Sequence, residues 1–186
     1  MIIGRGDIAS AIIDRPDRLY FASGVSNSGE MDWRAFTRER LLLHEQPRNA
    51  HLVYFGTLSE LDTPYTRHKR EMEYRVRQLF PLHAIVRIGN ITWGSNPHTL
   101  INHLRARHAA GLPLDIQDVY RYLLTREELQ GWLDRIPDTH SVEFNCLGRR
   151  LKVAQIVDEY IYGKRVRALG ERHGMSLDND GKVVAW

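Results

Sequence analysis

Apolar runs and helically spaced stretches alternate along the first ninety residues. Met1 to Ile3 can form a stub of strand, and Ile8, Ala9, Ile12 and Ile13 then fall on one face of a helix from Asp7 to Ile13, closed by Pro16. Leu19-Tyr20-Phe21-Ala22 reads as a buried strand that leaves through Ser23-Gly24-Val25-Ser26-Asn27-Ser28, a small polar segment suited to a loop over a ligand. Trp33, Phe36, Leu41 and Leu43 give Met31 to His44 a helical face, ended by Pro47-Arg48-Asn49. A strand from His51 to Gly56, a helix from Tyr65 to Leu79 and a strand from His83 to Ile88 follow. Such alternation predicts right-handed crossovers and an α/β fold: a mostly parallel, Rossmann-like sheet with helices on both faces and few strands. In sheets of that kind ligands gather beyond the carboxyl ends of the strands, where Gly4, Ser23, Thr57 and Gly89 all fall.

After Gly94 the pattern changes. Pro97 to Ala110 and Asp118 to Leu133 read as helices, Val142 to Asn145 as a brief strand, and Val153 to Gly163 as another helix. The expectation is a dinucleotide-binding core over residues 1–94 and a substrate lobe over 95–186, packed as one unit. Trp33, Phe36, Tyr120 and Trp132 are accounted for as core, and Tyr160 and Tyr162 as docking residues. Asp178-Asn179-Asp180-Gly181-Lys182 resembles the start of a calcium loop but lacks its downstream glutamate, so a plain turn is expected there.

Composition narrows the class. At 186 residues with 42% hydrophobic content the chain can pack one core. It shows neither a secretory leader nor an apolar run near the ~18 residues that a membrane span needs, so a soluble, cytoplasmic protein without membrane insertion is expected. Cys146 is the single cysteine, which excludes an internal disulfide and a cysteine-cluster metal site. His98, His103 and His108 are spaced by five, which spreads their rings around a helix, and no metal is expected. The net charge is +3 and the isoelectric point 9.1. Arg67, Lys69, Arg70, Arg75 and Arg77 alternate with Glu71 and Glu73 as on a solvated helix, which argues against nucleic acid as a partner. The mild basic bias suits an anionic small molecule.

Two motifs carry the chemistry. Tyr65-Thr66-Arg67-His68-Lys69 puts a phenol and an ammonium at i and i+4 of a helix, on one face. A cation beside a phenol favours the ionised form, which brings its proton exchange with a sugar or alcohol hydroxyl toward neutral pH. Thr57 offers a hydroxyl to the same substrate group, with Ser59 in reserve. The second motif is Gly4-Arg5-Gly6-Asp7-Ile8-Ala9, a Gly-x-Gly-x-x-Ala turn in which glycines let a pyrophosphate approach a helix N-terminus.

Together with Ala22-Ser23-Gly24-Val25-Ser26 and Arg87-Ile88-Gly89-Asn90, these motifs resemble an extended short-chain dehydrogenase/reductase. Tyr65 to Lys69, with Asn96-Pro97-His98-Thr99-Leu100, is similar to NAD-dependent epimerase/dehydratase-like proteins of surface-polysaccharide pathways. The resemblance implies NAD or NADP as cofactor and a nucleotide sugar as substrate. It implies Tyr65 as acid/base, Lys69 as its activator and ribose ligand, and Thr57 as holder of the reacting hydroxyl. Gly4, Arg5, Gly6, Asp7, Ile8, Ala22, Ser23 and Gly24 would border the cofactor, and Ser26, Asn27, Asn90 and Asn96 the sugar. It also implies a homodimer paired through the tyrosine helix and its neighbour. The chain departs from the family between the glycine turn and Leu19, where two strands and their helices are missing, and with them the acidic residue that grips the adenosine ribose. Asp14 comes too early and Glu30 follows the next strand. The rival reading is a shortened, non-catalytic relative that binds a nucleotide sugar or assembles with a partner enzyme.

Overall fold

A computed structural model describes residues 1–166 of the chain and the strands Met175–Leu177 and Val183–Ala185. Five strands form one sheet: β1 (Ile2–Ile3), β2 (Leu19–Phe21), β3 (Leu52–Thr57), β4 (His83–Ile88) and β7 (Val142–Cys146), side by side in the order β1-β2-β3-β4-β7. Every pairing in it is parallel. Alternation along β3 explains the layers. Leu52 and Tyr54 point into an apolar layer with Leu43 of α1 (Trp33–His44) and Met72 and Val76 of α2 (Pro64–Leu79). Val53 and Phe55 point the other way, toward Leu129 and Leu133 of α4 (Arg126–Leu133). The sheet is therefore covered on both faces, as its near-continuous apolar strands require.

A second, three-stranded sheet joins β5 (Asn90–Ile91), β6 (Tyr120–Leu124) and β8 (Arg149–Lys152) in the order β5-β6-β8. It packs against α3 (Leu100–Ala109) and α5 (Val153–Tyr160) through Leu123, Leu151, Ile101, Leu104 and Ile156. The strand β7 comes from the half expected to form the substrate lobe, yet it lies beside β4 in the main sheet. The strands β9 (Met175–Leu177) and β10 (Val183–Ala185) pair antiparallel. The expected turn at 178–182 lies outside the described residues.

The architecture departs from the sequence reading in several places. Residues 7–13 do not form an α-helix: a 3-10 turn covers Ala9–Ala11, and Ile12 is already extended at φ −89° and ψ 131°. Too few residues precede Pro16 for helix propagation to repay nucleation, and Pro16 disfavours helical backbone at Arg15. Ile13, assigned to the apolar face, is exposed. Residues 118–133 are not one helix but β6 followed by α4. Thr125 and Glu128 explain the break, because each caps the other's backbone N–H and starts α4 at Arg126.

The buried face of α1 is Glu39 and Leu43, whereas Trp33 and Leu41 are 65% and 60% exposed. Trp33 and Tyr120 are thus surface residues and not core, while Trp132 does stack on Phe144 in the core. On α2, Lys69 and Glu73 are buried and not part of a solvated face. Glu73 pairs with Arg87 of β4 at 2.6 Å, and Arg87 reaches on to Glu143 of β7 at 2.8 Å. No helix among the described residues is long and apolar enough to cross a membrane.

Candidate active site

The carboxyl ends of β1, β2, β3 and β4 bring the turn at Gly4, the loop at Ser23 and Gly24, Thr57 and the Gly89-Asn90 pair to one edge of the sheet. Gly4 has φ 132°, a conformation that suits glycine, and a Cβ there would collide with the Ala22 carbonyl. It therefore fixes how closely the first turn approaches the segment after β2.

Helix α2 begins directly over the end of β3. Thr63 is its N-cap, accepting from the Thr66 backbone N–H at 3.2 Å, and Pro64 sets the first helical position. The Thr66 hydroxyl in turn accepts from the Thr63 N–H at 3.0 Å and donates to the Leu61 carbonyl. Tyr65 is thus placed by a doubly fixed helix start. Lys69 lies one turn on, buried, with its ammonium 6.0 Å from the centre of the Tyr65 ring and 5.2 Å from that of Tyr54. Thr57, the last residue of β3, is buried, and its hydroxyl accepts from the Ser59 N–H at 3.2 Å.

The direct partner of Lys69 is one that the sequence reading did not include. Glu39, fully buried on α1, accepts from the Lys69 ammonium at 3.1 Å. The same carboxylate takes the Tyr54 hydroxyl at 2.8 Å, the Val25 N–H at 2.7 Å and the His68 ring Nε2 at 3.0 Å. Burial works to raise the Glu39 carboxyl, but the Lys69 charge, His68 and the Val25 amide outweigh it and hold the group at about 2. Burial and the adjacent Glu39 charge push the Tyr54 phenol well above its ordinary value, so it stays a neutral donor. Gly24 closes the cluster: a Cβ there would stand 2.6 Å from the Lys69 ammonium and 2.7 Å from Glu39 Oε1.

The remaining expected site residues are spread over the segments that follow β1, β2, β4 and β5. Ser23 is held from outside by Arg38, which donates to its hydroxyl at 2.9 Å and its carbonyl at 3.2 Å. Arg5 and Gly6 are exposed beside the 3-10 turn, and Ala22 and Ile8 pack on the core. Asp7 has its carboxylate bonded to the Ser95 and Asn96 N–H groups at 3.1 and 3.0 Å, and its carbonyl accepts from the Trp93 indole at 2.8 Å. It ties the glycine turn to the loop after β5. Asn96 donates to the Ser26 hydroxyl at 3.1 Å, which places these two expected sugar contacts together. Asn27 folds its own turn by accepting from Gly29 at 3.0 Å, and Asn90 turns toward the Tyr122 carbonyl. Burial pushes the Cys146 thiol up, so it has no nucleophilic part. No cluster of three or more His, Cys, Asp or Glu side chains among the described residues could hold a metal ion.

Several solved structures share this fold. The Bordetella bronchiseptica enzyme WbmG, in complex with NAD and UDP, superposes with a TM-score of 0.55 at 15% identity, covering 84% of this chain and 60% of its own. The UDP-glucuronic acid 4-epimerase from Bacillus cereus, in complex with UDP-glucuronic acid and NAD, gives 0.57 at 16% identity over 81% and 60%. The fold is that of the nucleotide-sugar epimerases and dehydratases. The capsular polysaccharide assembling protein CapF from Staphylococcus aureus also has it, with a TM-score of 0.50 at 14% identity over 89% and 57%. This chain spans about 60% of the length of these epimerase/dehydratase-fold structures. Neither a protein-family model nor a curated protein matches the sequence.

An epimerase/dehydratase fold invites a test of fit for a nicotinamide dinucleotide. Tyr65 and the Lys69 ammonium are the groups that would meet its nicotinamide and ribose end. Two of the three ammonium N–H groups have no partner among the described residues, and the missing side chain of Gly24 lets the Lys69 ammonium and Glu39 lie against the loop backbone. The adenosine end is not fitted: a 3-10 turn stands where an α-helix N-terminus would meet the pyrophosphate, and β2 follows β1 after the single crossover 4–18.

Proposed function

We propose that this chain is an NAD(P)-dependent nucleotide-sugar oxidoreductase of the epimerase, dehydratase or reductase kind, working in surface-polysaccharide synthesis. The observation that carries the reading is the stacking of Tyr65 and Lys69 on one face of α2, at the carboxyl edge of the sheet and beside Gly24. Tyr65 is the acid/base: its phenol takes the proton of a sugar hydroxyl and later returns it. Thr57 orients that hydroxyl from the end of β3. Lys69 holds a ribose through its unpartnered N–H groups and keeps positive charge near the phenol. Ser26 and Asn96, already bonded to one another, border the sugar, with Asn27 and Asn90 flanking them. A nicotinamide dinucleotide held beside Lys69 would supply the hydride chemistry at the sugar carbon.

A second reading has its own support. The Lys69 ammonium is paired with a buried carboxylate, which lowers its field at Tyr65, and the Asp7 contacts draw the 95–96 loop onto the glycine turn. Both features suit a module that binds a nucleotide sugar, or assembles with a partner enzyme, without turnover.

Thermal unfolding with NAD, NADP and a panel of UDP- and dTDP-sugars, followed by turnover assays with Tyr65→Phe, separates the two. The enzymatic reading expects stabilisation by a dinucleotide and at least about a hundredfold loss of turnover in Tyr65→Phe with unchanged melting. Stabilisation by nucleotide sugars alone, with no turnover by the wild type, selects the binding module.

A further inference from the structure

Glu39 is a carboxylate with no exposed surface, set at the centre of four donors that come from three directions. Tyr54 approaches from β3, Lys69 and His68 from α2, and the Val25 amide from the loop after β2. Together they satisfy the buried carboxylate and tie three segments of the chain to one point. The loop matters most, because Val25 follows Gly24, whose backbone lies against the Lys69 ammonium. One carboxylate therefore fixes both the lysine and the loop that borders the expected ligand. His68 is clamped as well, its ring stacked on Phe36 at 4.6 Å and its Nδ1 buried without a partner.

We propose that Glu39 is the positioning residue of this site, anchoring the Lys69 ammonium under Gly24 and offsetting its charge at Tyr65. The proposal rests on the proton-transfer reading of Tyr65 and Lys69. The anchor leaves the lysine with N–H groups for a ribose while denying it the freedom to swing toward solvent. The offset follows from position, since the carboxylate and the ammonium both lie beside the Tyr54 ring and hydroxyl, close to Tyr65. The charged and titratable groups facing Glu39 are Lys69 and His68 of α2 and Tyr54 of β3, with Tyr65 and Glu73 of α2 next around them.

The test uses the intact protein, ligand-free, with Glu39→Gln and Glu39→Asp. Glutamine keeps the size but not the charge, and one of its two ends can no longer accept, whereas aspartate keeps the charge and withdraws it by one methylene. In wild type, side-chain nitrogen NMR should place the Lys69 Nζ resonance apart from those of surface lysines. The resonance should move in Glu39→Gln, and an unmoved resonance overturns the anchor. The Tyr65 Cζ resonance, followed against pH, should titrate at least about one pH unit lower in Glu39→Gln than in wild type, and close to wild type in Glu39→Asp. Equal titration in wild type and Glu39→Gln overturns the charge offset. An equal shift in both variants does so too, because it assigns the effect to packing. If Glu39→Gln does not fold, Glu39→Asp decides: a moved Lys69 resonance with an unmoved Tyr65 titration supports the proposal, and the reverse overturns it. A wild type that binds no dinucleotide and turns over no nucleotide sugar sinks the enzymatic reading, while the Lys69 resonance still decides whether Glu39 holds the lysine.

Discussion

A carboxylate stripped of water survives in a core only when charged and neutral donors replace that water, and Glu39 has four. The stability it confers has a definite pH window. Its folded value is depressed from 4.5 to about 2, so the contribution is complete above about pH 4.5 and is lost as pH falls toward 2. The depression corresponds to about 3 kcal/mol, and acid titration of the unfolding free energy should show that fall in wild type and a flatter profile in Glu39→Gln. A profile of equal slope in both would remove Glu39 as the source. Tyr65 and Lys69 were legible because i,i+4 spacing is a property of the chain alone. Glu39 was not, since a glutamate between arginines reads as solvated. The signal that could have exposed it is Phe36-Glu39-Leu43, a core-facing spacing on α1 with an acid in its centre. Glu73, paired with Arg87 across to β4, was hidden in the same way.

At the scale of elements, the start of α2 sets the aim of Tyr65. Thr63 and Thr66 cap one another's backbone, with Pro64 between, so the second helical residue is held where the strand ends. Thr63→Ala should cost about 1 kcal/mol and lower the melting temperature by roughly 2–4 °C. Ligand affinity should fall with it, because the helix start then frays beneath Tyr65, and calorimetric unfolding beside a nucleotide-sugar titration measures both. Strands β2, β3 and β4 and helices α1 and α2 could be read from apolar runs bounded by proline and glycine. The 7–13 segment could not, because an apolar face says nothing about whether enough residues remain for a helix to propagate before Pro16. The 118–133 segment failed for a different reason. Helical spacing runs through Tyr120 to Leu124 by chance, and only the Thr125-Glu128 box marks where the helix begins.

For the molecule as a whole, the parallel sheet and the gathering of Gly4, Ser23, Thr57 and Gly89 at its carboxyl edge followed from strand and helix alternation, but the place of β7 did not. Its residues are distant in sequence from β4, and no local pattern specifies which edge a late strand joins. With no strand on the outer side of β1 among the described residues to present a ribose-gripping carboxylate, the 2′ position of an adenosine ribose would meet no reader there. NAD and NADP should therefore raise the melting temperature alike, and a preference above about tenfold, or 1.4 kcal/mol, would reveal a discriminating contact elsewhere.

The arrival of β7 also shapes how the polypeptide emerges during synthesis. Strand β4 is finished at Ile88, but its outer neighbour begins at Val142, so residues 89–141 must leave the ribosome before that flank is covered. At roughly 5–20 residues per second this takes about 3–10 s, during which Ala84, Ile85 and Val86 offer an open row of backbone donors and acceptors to neighbouring nascent chains. Arg87, at the end of that row, already has Glu73 as a partner and puts a charge at the exposed rim until Glu143 joins it.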